Sequence, residues 1–151
     1  MSGPLPSDFW SGAGCMQRLL PLLQHAAVQI WVVGGTVRDA LLGRPVTDYD
    51  LVAEHDALSL GKALARELAA PYYPLDSERG VARIVLPAGQ HIDLADLRAD
   101  SIEQDLRARD FTINAMAIDE SGALIDPYGG CQDIVKRLIR VPENRVEERF
   151  H

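Results

Sequence analysis

The sequence predicts one mixed α+β domain, with helices packed on a largely non-repetitive sheet. Three observations lead there. The chain has 151 residues with 47% hydrophobic content, enough to bury a single core. Short β-branched or alternating runs are interleaved with longer segments of helical spacing. Glycine and proline separate nearly every pair of them, and neither an internal repeat nor a low-complexity tract is present.

Residues 1–14 are rich in Gly, Pro and Ser and read as a flexible lead-in, with Phe9 and Trp10 able to dock locally. A helix is expected from Met16 to His25, where Leu19, Leu20, Leu22 and Leu23 form a stripe around Pro21. Gln29 to Val33 is a β-branched run and hence a strand. Gly34-Gly35 stops it, and Thr36 can cap a helix through Val37, Ala40, Leu41 and Leu42 that Gly43 and Pro45 end. Tyr49 to Ala53 is the next strand. Asp56 can cap a helix from Ala57 to Ala69, with Leu58, Leu60, Ala63, Leu64 and Leu68 inward and Pro71 as its stop. Strands follow at Tyr72–Leu75, Val81–Leu86 and Gln90–Leu97, the last two joined by a Pro-Ala-Gly turn. Ile102 to Arg107 is a helix, Asn114 to Asp119 and Ala123 to Ile125 a hairpin, and Gln132 to Arg137 a short helix.

The formal charge is −7 and the sequence pI about 5.0. A protein that neutralises many phosphates usually carries a basic excess, so a complete nucleic-acid grip is not expected in this segment. Of the fifteen basic residues only Lys62 and Lys136 are lysines; the others are arginines, whose fork suits phosphate. Cys15 and Cys131 lack the spacing of a zinc site or disulfide framework. The amino terminus does not read as a secretory signal, and no apolar run approaches the ~20 residues that span a bilayer. A cytoplasmic domain with no membrane partner is the expectation.

Four segments could carry chemistry. Gly34-Gly35-Thr36-Val37-Arg38-Asp39 joins a strand to a helix start, where bare amides can hold a polyphosphate. A tight turn beside a surface arginine is an equal reading, because neither the Rossmann nor the Walker A spacing is met. Asp48 and Asp50, at i and i+2 of a strand, point to one side about 7 Å apart at roughly 3.3 Å of rise per residue. A divalent cation, or a pair roughly 3.5–4 Å apart, resolves their repulsion better than solvent does. Asp93 stands inside the apolar strand Ile92-Asp93-Leu94-Ala95-Asp96-Leu97 and is costly to bury unless paired or ligating; Asp96 falls on the opposite face. In Arg107-Ala108-Arg109-Asp110-Phe111-Thr112-Ile113-Asn114-Ala115, two arginines could meet phosphates while Asp110 orients one of them. On its residues alone, a helix turn with an Arg109–Asp110 surface contact and a strand-capping Asn114 is the simpler reading.

The ordered set is more specific than its members. Val32 to Asp39, Leu41-Leu42-Gly43-Arg44-Pro45, Asp48-Tyr49-Asp50, Arg109 to Ala117, and Ile125-Asp126-Pro127-Tyr128-Gly129-Gly130 leading to Asp133 together resemble the head domain of the class II tRNA nucleotidyltransferase and bacterial poly(A) polymerase family. The resemblance runs from about Ile30 to Arg140. It implies the DNA polymerase β-like nucleotidyltransferase fold, with a head over residues 15–140 and the approach to a neck over 141–151. It assigns Asp48, Asp50 and Asp93 to two catalytic Mg²⁺ ions, and Gly34, Gly35, Arg38, Arg109, Asp110 and Asn114 to the nucleotide. CTP and ATP would be the donors and the tRNA 3′ end the acceptor, held mainly by neck, body and tail regions. CCA, CC-only or A-only addition is implied first. Poly(A) synthesis and a non-catalytic nucleotide-binding module are the alternatives. The family's frequent Arg-Arg-Asp is Ala108-Arg109-Asp110 here, and Thr36 replaces a frequent Ala. The base-reading element of the neck is not reproduced by Glu147-Glu148-Arg149.

Overall fold

The computed structural model describes residues 28–142 and, before them, Pro21 and Gln24. The lead-in, nearly all of the helix expected at Met16 to His25, and the neck approach beyond residue 142 lie outside the described residues.

Seven strands form one sheet in the order β3-β4-β5-β2-β1-β6-β7. They are β1 (Ile30–Val33), β2 (Tyr49–Ala53), β3 (Tyr72–Asp76), β4 (Val81–Val85), β5 (His91–Asp96), β6 (Ala117–Ile118) and β7 (Leu124–Ile125). Every neighbouring pair is antiparallel except β2 with β5, whose parallel register sets Asp50 opposite Asp93. The helices are α1 (Gly35–Leu41), α2 (Ala57–Leu68), α3 (Ile102–Arg107) and α4 (Gly130–Lys136), with 3₁₀ turns at Pro87–Gly89 and Thr112–Asn114. Among the described residues, no helix is long and apolar enough to cross a membrane.

Strand alternation sorts the side chains into two layers. Ile30, Val32, Tyr49, Leu51, Ile84, Ile92 and Leu94 face one way and form the main core with Val37 of α1, Leu64 of α2 and Cys131 of α4. On the other face Trp31, Val33 and Val52 pack with Ile102 and Leu106 of α3 and with Ala115 and Ala117. Arg83, His91, Asp93 and Asp50 alternate with the main-core residues and are only partly covered. The open part of the sheet carries the charge.

Several elements differ in detail from expectation, each through a long-range contact. Asp56 does not cap α2. It adopts a left-handed conformation, and its carboxylate meets His55. Asp96 Oδ1 instead accepts the Ala57 N–H at 2.8 Å, so β5 supplies the cap. The buried face of α2 is Ala57, Gly61, Leu64 and Ala65, while Ala63 faces solvent. A methyl group at Gly61 would stand 3.3 Å from both Ala82 and Tyr72, so glycine allows the helix close to the sheet. Asn114 belongs to a 3₁₀ turn, and the hairpin strands shrink to two residues each. At Gly130 a Cβ would run into the Thr112 carbonyl. That seats α4 directly on the 3₁₀ turn, with Asp126 accepting the Gly130 and Cys131 amides.

Candidate active site

The site begins where β1 turns into α1. Gly34 caps the helix at φ 68°, and its carbonyl accepts the Val37 and Arg38 amides. A Cβ here would lie 3.7 Å from Arg109 Nη1 and 3.9 Å from Asp50 Oδ2, so an arginine and a carboxylate both close over this glycine. The Gly34 N–H is engaged by the Met116 carbonyl at 3.2 Å. The glycine pair therefore cannot turn both amides to a phosphate. The Arg38 guanidinium folds back over Gly35, 3.1 Å from where a Cβ would be.

Thr36 does not cap α1, which has no side-chain cap. Its buried hydroxyl donates to the Asp48 carbonyl at 3.1 Å and accepts the Asp50 N–H at 3.0 Å. The last β1–β2 pair is Val32 with Leu51. Beyond it β1 has bent away, and Thr36 satisfies the strand backbone in its place. The glycine turn and the two acids are thus one hydrogen-bonded unit.

The three expected acids lie toward the amino-terminal ends of the parallel strands β2 and β5. Asp50 and Asp93 are opposite one another in the parallel ladder. Asp48 precedes β2, and its Oδ1 accepts the His91 N–H at 3.2 Å. The His91 ring spans two of the acids, with Nδ1 3.3 Å from Asp48 and Nε2 3.6 Å from Asp93. Asp93 is gripped from its other side by Arg83, Nε to Oδ1 at 2.8 Å and Nη2 to Oδ2 at 3.0 Å. Burial pushes the Asp50 carboxyl above its ordinary pKa, and repulsion from Asp93 and Asp48 adds to this against Arg109 and His91. The hydrogen bonds to Asp93 raise the Arg83 pKa further and hold the guanidinium charged.

The arginines are oriented by partners. Arg38 Nη1 donates to Asn114 Oδ1 at 2.8 Å, and Asn114 Nδ2 donates to Asp110 at 3.1 Å. The expected Arg109–Asp110 contact is replaced. Arg109 Nη2 donates to Asp105 Oδ1 at 3.2 Å, and the buried Asp105 accepts the Arg98 N–H at 3.0 Å. Asp110 serves the Arg38–Asn114 arm instead. A cleft of about 350 Å³, lined by Asp50, Asp93, Arg98, Asp105, Ala108 and Arg109 among others, opens beside these groups.

Among the described residues, no three acidic, histidine or cysteine side chains form a ready metal cage. Both Asp93 oxygens are in the Arg83 fork. The donor chemistry still suits a hard cation, because carboxylate oxygens predominate and Asp50 carries a charge that burial and its neighbours disfavour. Sequence reasoning missed Thr36, Arg83, His91 and Asp105 as parts of the site. Two had readable signals: Asp105 is at i,i+4 from Arg109, and Arg83 interrupts the apolar run Val81–Val85 as Asp93 interrupts its own.

Comparison with known proteins finds the same arrangement of segments elsewhere. The family model described as the poly A polymerase head domain matches residues 30–102 and 91–140. The CC-adding tRNA nucleotidyltransferase of Geobacter sulfurreducens is 43% identical over 142 residues, which cover 93% of this chain and 31% of that protein. The A-adding tRNA nucleotidyltransferase of Deinococcus radiodurans is 44% identical over 110 residues, 73% of this chain and 25% of that one. A solved complex of a CCA-adding enzyme with CTP aligns with a TM-score of 0.85 at 32% identity, covering 97% of this chain and 39% of the other. The chain spans about a third of the length of these relatives.

Proposed function

We propose a nucleotidyl transfer reaction for this chain, which belongs to the poly A polymerase head-domain family and has the DNA polymerase β-like nucleotidyltransferase fold. The protein of which it forms the head would add CMP, AMP or both from CTP and ATP to the 3′ end of tRNA. The observation that carries this reading is the convergence of Asp50, Arg109 and Gly34 at one corner of the cleft, with Asp93 alongside Asp50. Metal dependence is a property of the family, and we assign Mg²⁺. Asp48, Asp50 and Asp93 would hold two ions, which supply charge to neutralise the triphosphate and lower the pKa of the attacking hydroxyl.

The chain's own groups do the rest by positioning. Arg38, set by Asn114, and Arg109, set by Asp105, face the triphosphate as donors whose charge never has to be recruited. The terminal 3′-oxygen forms a bond to the α-phosphorus while the α–β phosphoanhydride bond breaks. Pyrophosphate leaves toward the arginines, and the hydroxyl proton passes to solvent. No covalent nucleophile is required. A cytoplasmic location is assigned with this substrate pair. Poly(A) synthesis is supported by the family description alone, whereas the curated relatives above are tRNA-adding enzymes.

The decisive test supplies the full-length enzyme with tRNA lacking CCA, lacking only the terminal A, or complete, and reads which nucleotides are added. Addition of C, A or both that stops at CCA is expected, and runs of A would favour poly(A) synthesis. Asp50→Asn should abolish transfer while leaving the protein folded. It should also melt a few degrees higher in metal-free buffer. A carboxyl with a raised folded-state pKa favours the fold while protonated and loses that contribution as pH rises through the folded pKa, and asparagine imitates the protonated form. Retained transfer by Asp50→Asn would overturn the assignment.

A further inference from the structure

The Arg83–Asp93 pair makes sense of one direction in the site. Across three adjacent strands, β4, β5 and β2, the ladder aligns Arg83, Asp93 and Asp50 in one row. At about 4.8 Å between strands, Arg83 starts about 10 Å from Asp50. The glycine turn, Arg38 and Arg109 lie past the other end of that row, on the β1 side. Attacking and leaving oxygens stand roughly in line across the transferred phosphorus. If the leaving pyrophosphate points to the β1 side, the attacking hydroxyl comes from the β5–β4 side, where Arg83 is.

Arg83 is equipped for more than holding Asp93. A guanidinium has five N–H donors in a planar fork. Two are used on Asp93, and Nη1 makes no hydrogen bond to any described residue. The side chain is 38% exposed, so those donors are open to a ligand. A cation poised at the entry side of an otherwise acidic row suits an incoming phosphodiester, and arginine is the residue that binds phosphate through paired donors.

Resting on the transfer reading above, we propose that Arg83 is the acceptor-side residue of this site: it positions Asp93 and binds the last internucleotide phosphate of the RNA whose 3′-hydroxyl attacks. It contributes nothing to the triphosphate. The chain thereby sorts its cations, with Arg38 and Arg109 on the donor side and Arg83 on the acceptor side.

The test is steady-state kinetics of the full-length enzyme on tRNA lacking its terminal nucleotides, comparing wild type with Arg83→Gln and Arg83→Lys. Arg83→Gln should raise the KM for tRNA about tenfold and leave the KM for the nucleotide within about twofold. The slope of log affinity for tRNA against log salt should fall by about one. Arg83→Lys, which keeps the charge without the fork, should lie between. A tRNA KM unchanged in folded Arg83→Gln overturns the proposal and leaves Arg83 as a brace for Asp93. An equal rise in the nucleotide KM overturns it too and moves Arg83 to the donor side. If wild type extends no RNA at all, the transfer reading itself fails, and that outcome is separate from the other two.

Discussion

A single hydroxyl joins the two halves of the site. Thr36 Oγ1 bonds both the Asp48 carbonyl and the Asp50 amide, so the helix that follows the glycine turn is tied to the strand that carries the acids. Valine has nearly the same shape and neither hydrogen bond, and leaving a buried amide unsatisfied costs about 1–3 kcal/mol. Thr36→Val should therefore lower kcat about tenfold and raise the metal concentration needed for half activity, whereas Thr36→Ser should restore both. A stability loss with unchanged kcat and metal dependence would show the bond to be structural only. The bond was not legible in the sequence, where Thr36 read as a helix cap. A threonine after a glycine pair has that local option, and only the path of β2 offers it a better one.

At the scale of elements, α3 is a short helix that works as an arm. Ser101 caps it through the Gln104 amide. Ile102 and Leu106 anchor it in the second core, and Asp105, one turn before Arg109, reaches that guanidinium. The second motif is thus held by two separate acids, Asp105 for Arg109 and Asp110 for the Arg38–Asn114 arm. Asp105→Asn should raise the nucleotide KM several-fold by loosening Arg109, while Asp110→Asn should act through Arg38. Combining Asp105→Asn with Arg109→Ala should add little to Arg109→Ala alone, and additivity in that double-mutant cycle would refute the coupling. Element existence was readable throughout the described residues, because periodicity and Gly/Pro punctuation are local. What misled was capping. Asp56 has the composition of a cap, yet Asp96, 39 residues beyond Ala57, arrives from a strand and takes the role.

Over the whole molecule, charge and extent limit what this head can do alone. The chain carries −7, so the few arginines near the site work against a net acidic balance. It matches about a third of relatives that act on tRNA by name. Residues 1–151 expressed alone should bind Mg-NTP weakly and tRNA barely at physiological salt, and the full-length protein should bind tRNA far more tightly. A tight, salt-sensitive tRNA complex of residues 1–151 would contradict the acidic balance, which adds no counterion release of its own.

The sequence by itself determined the fold class, the order of the elements and the family, and it singled out the acids and glycines proposed for the site. Each of these rests on residue type and spacing along the chain, which alternation and helical periodicity convert directly into local structure. Only the tertiary structure decided which partner each of those residues takes. Thr36 on β2, Asp96 on α2, Arg83 on Asp93 and His91 between two acids are all contacts between distant segments. They follow from the strand order β4-β5-β2-β1, and that order depends on how the whole core closes rather than on any one stretch of residues.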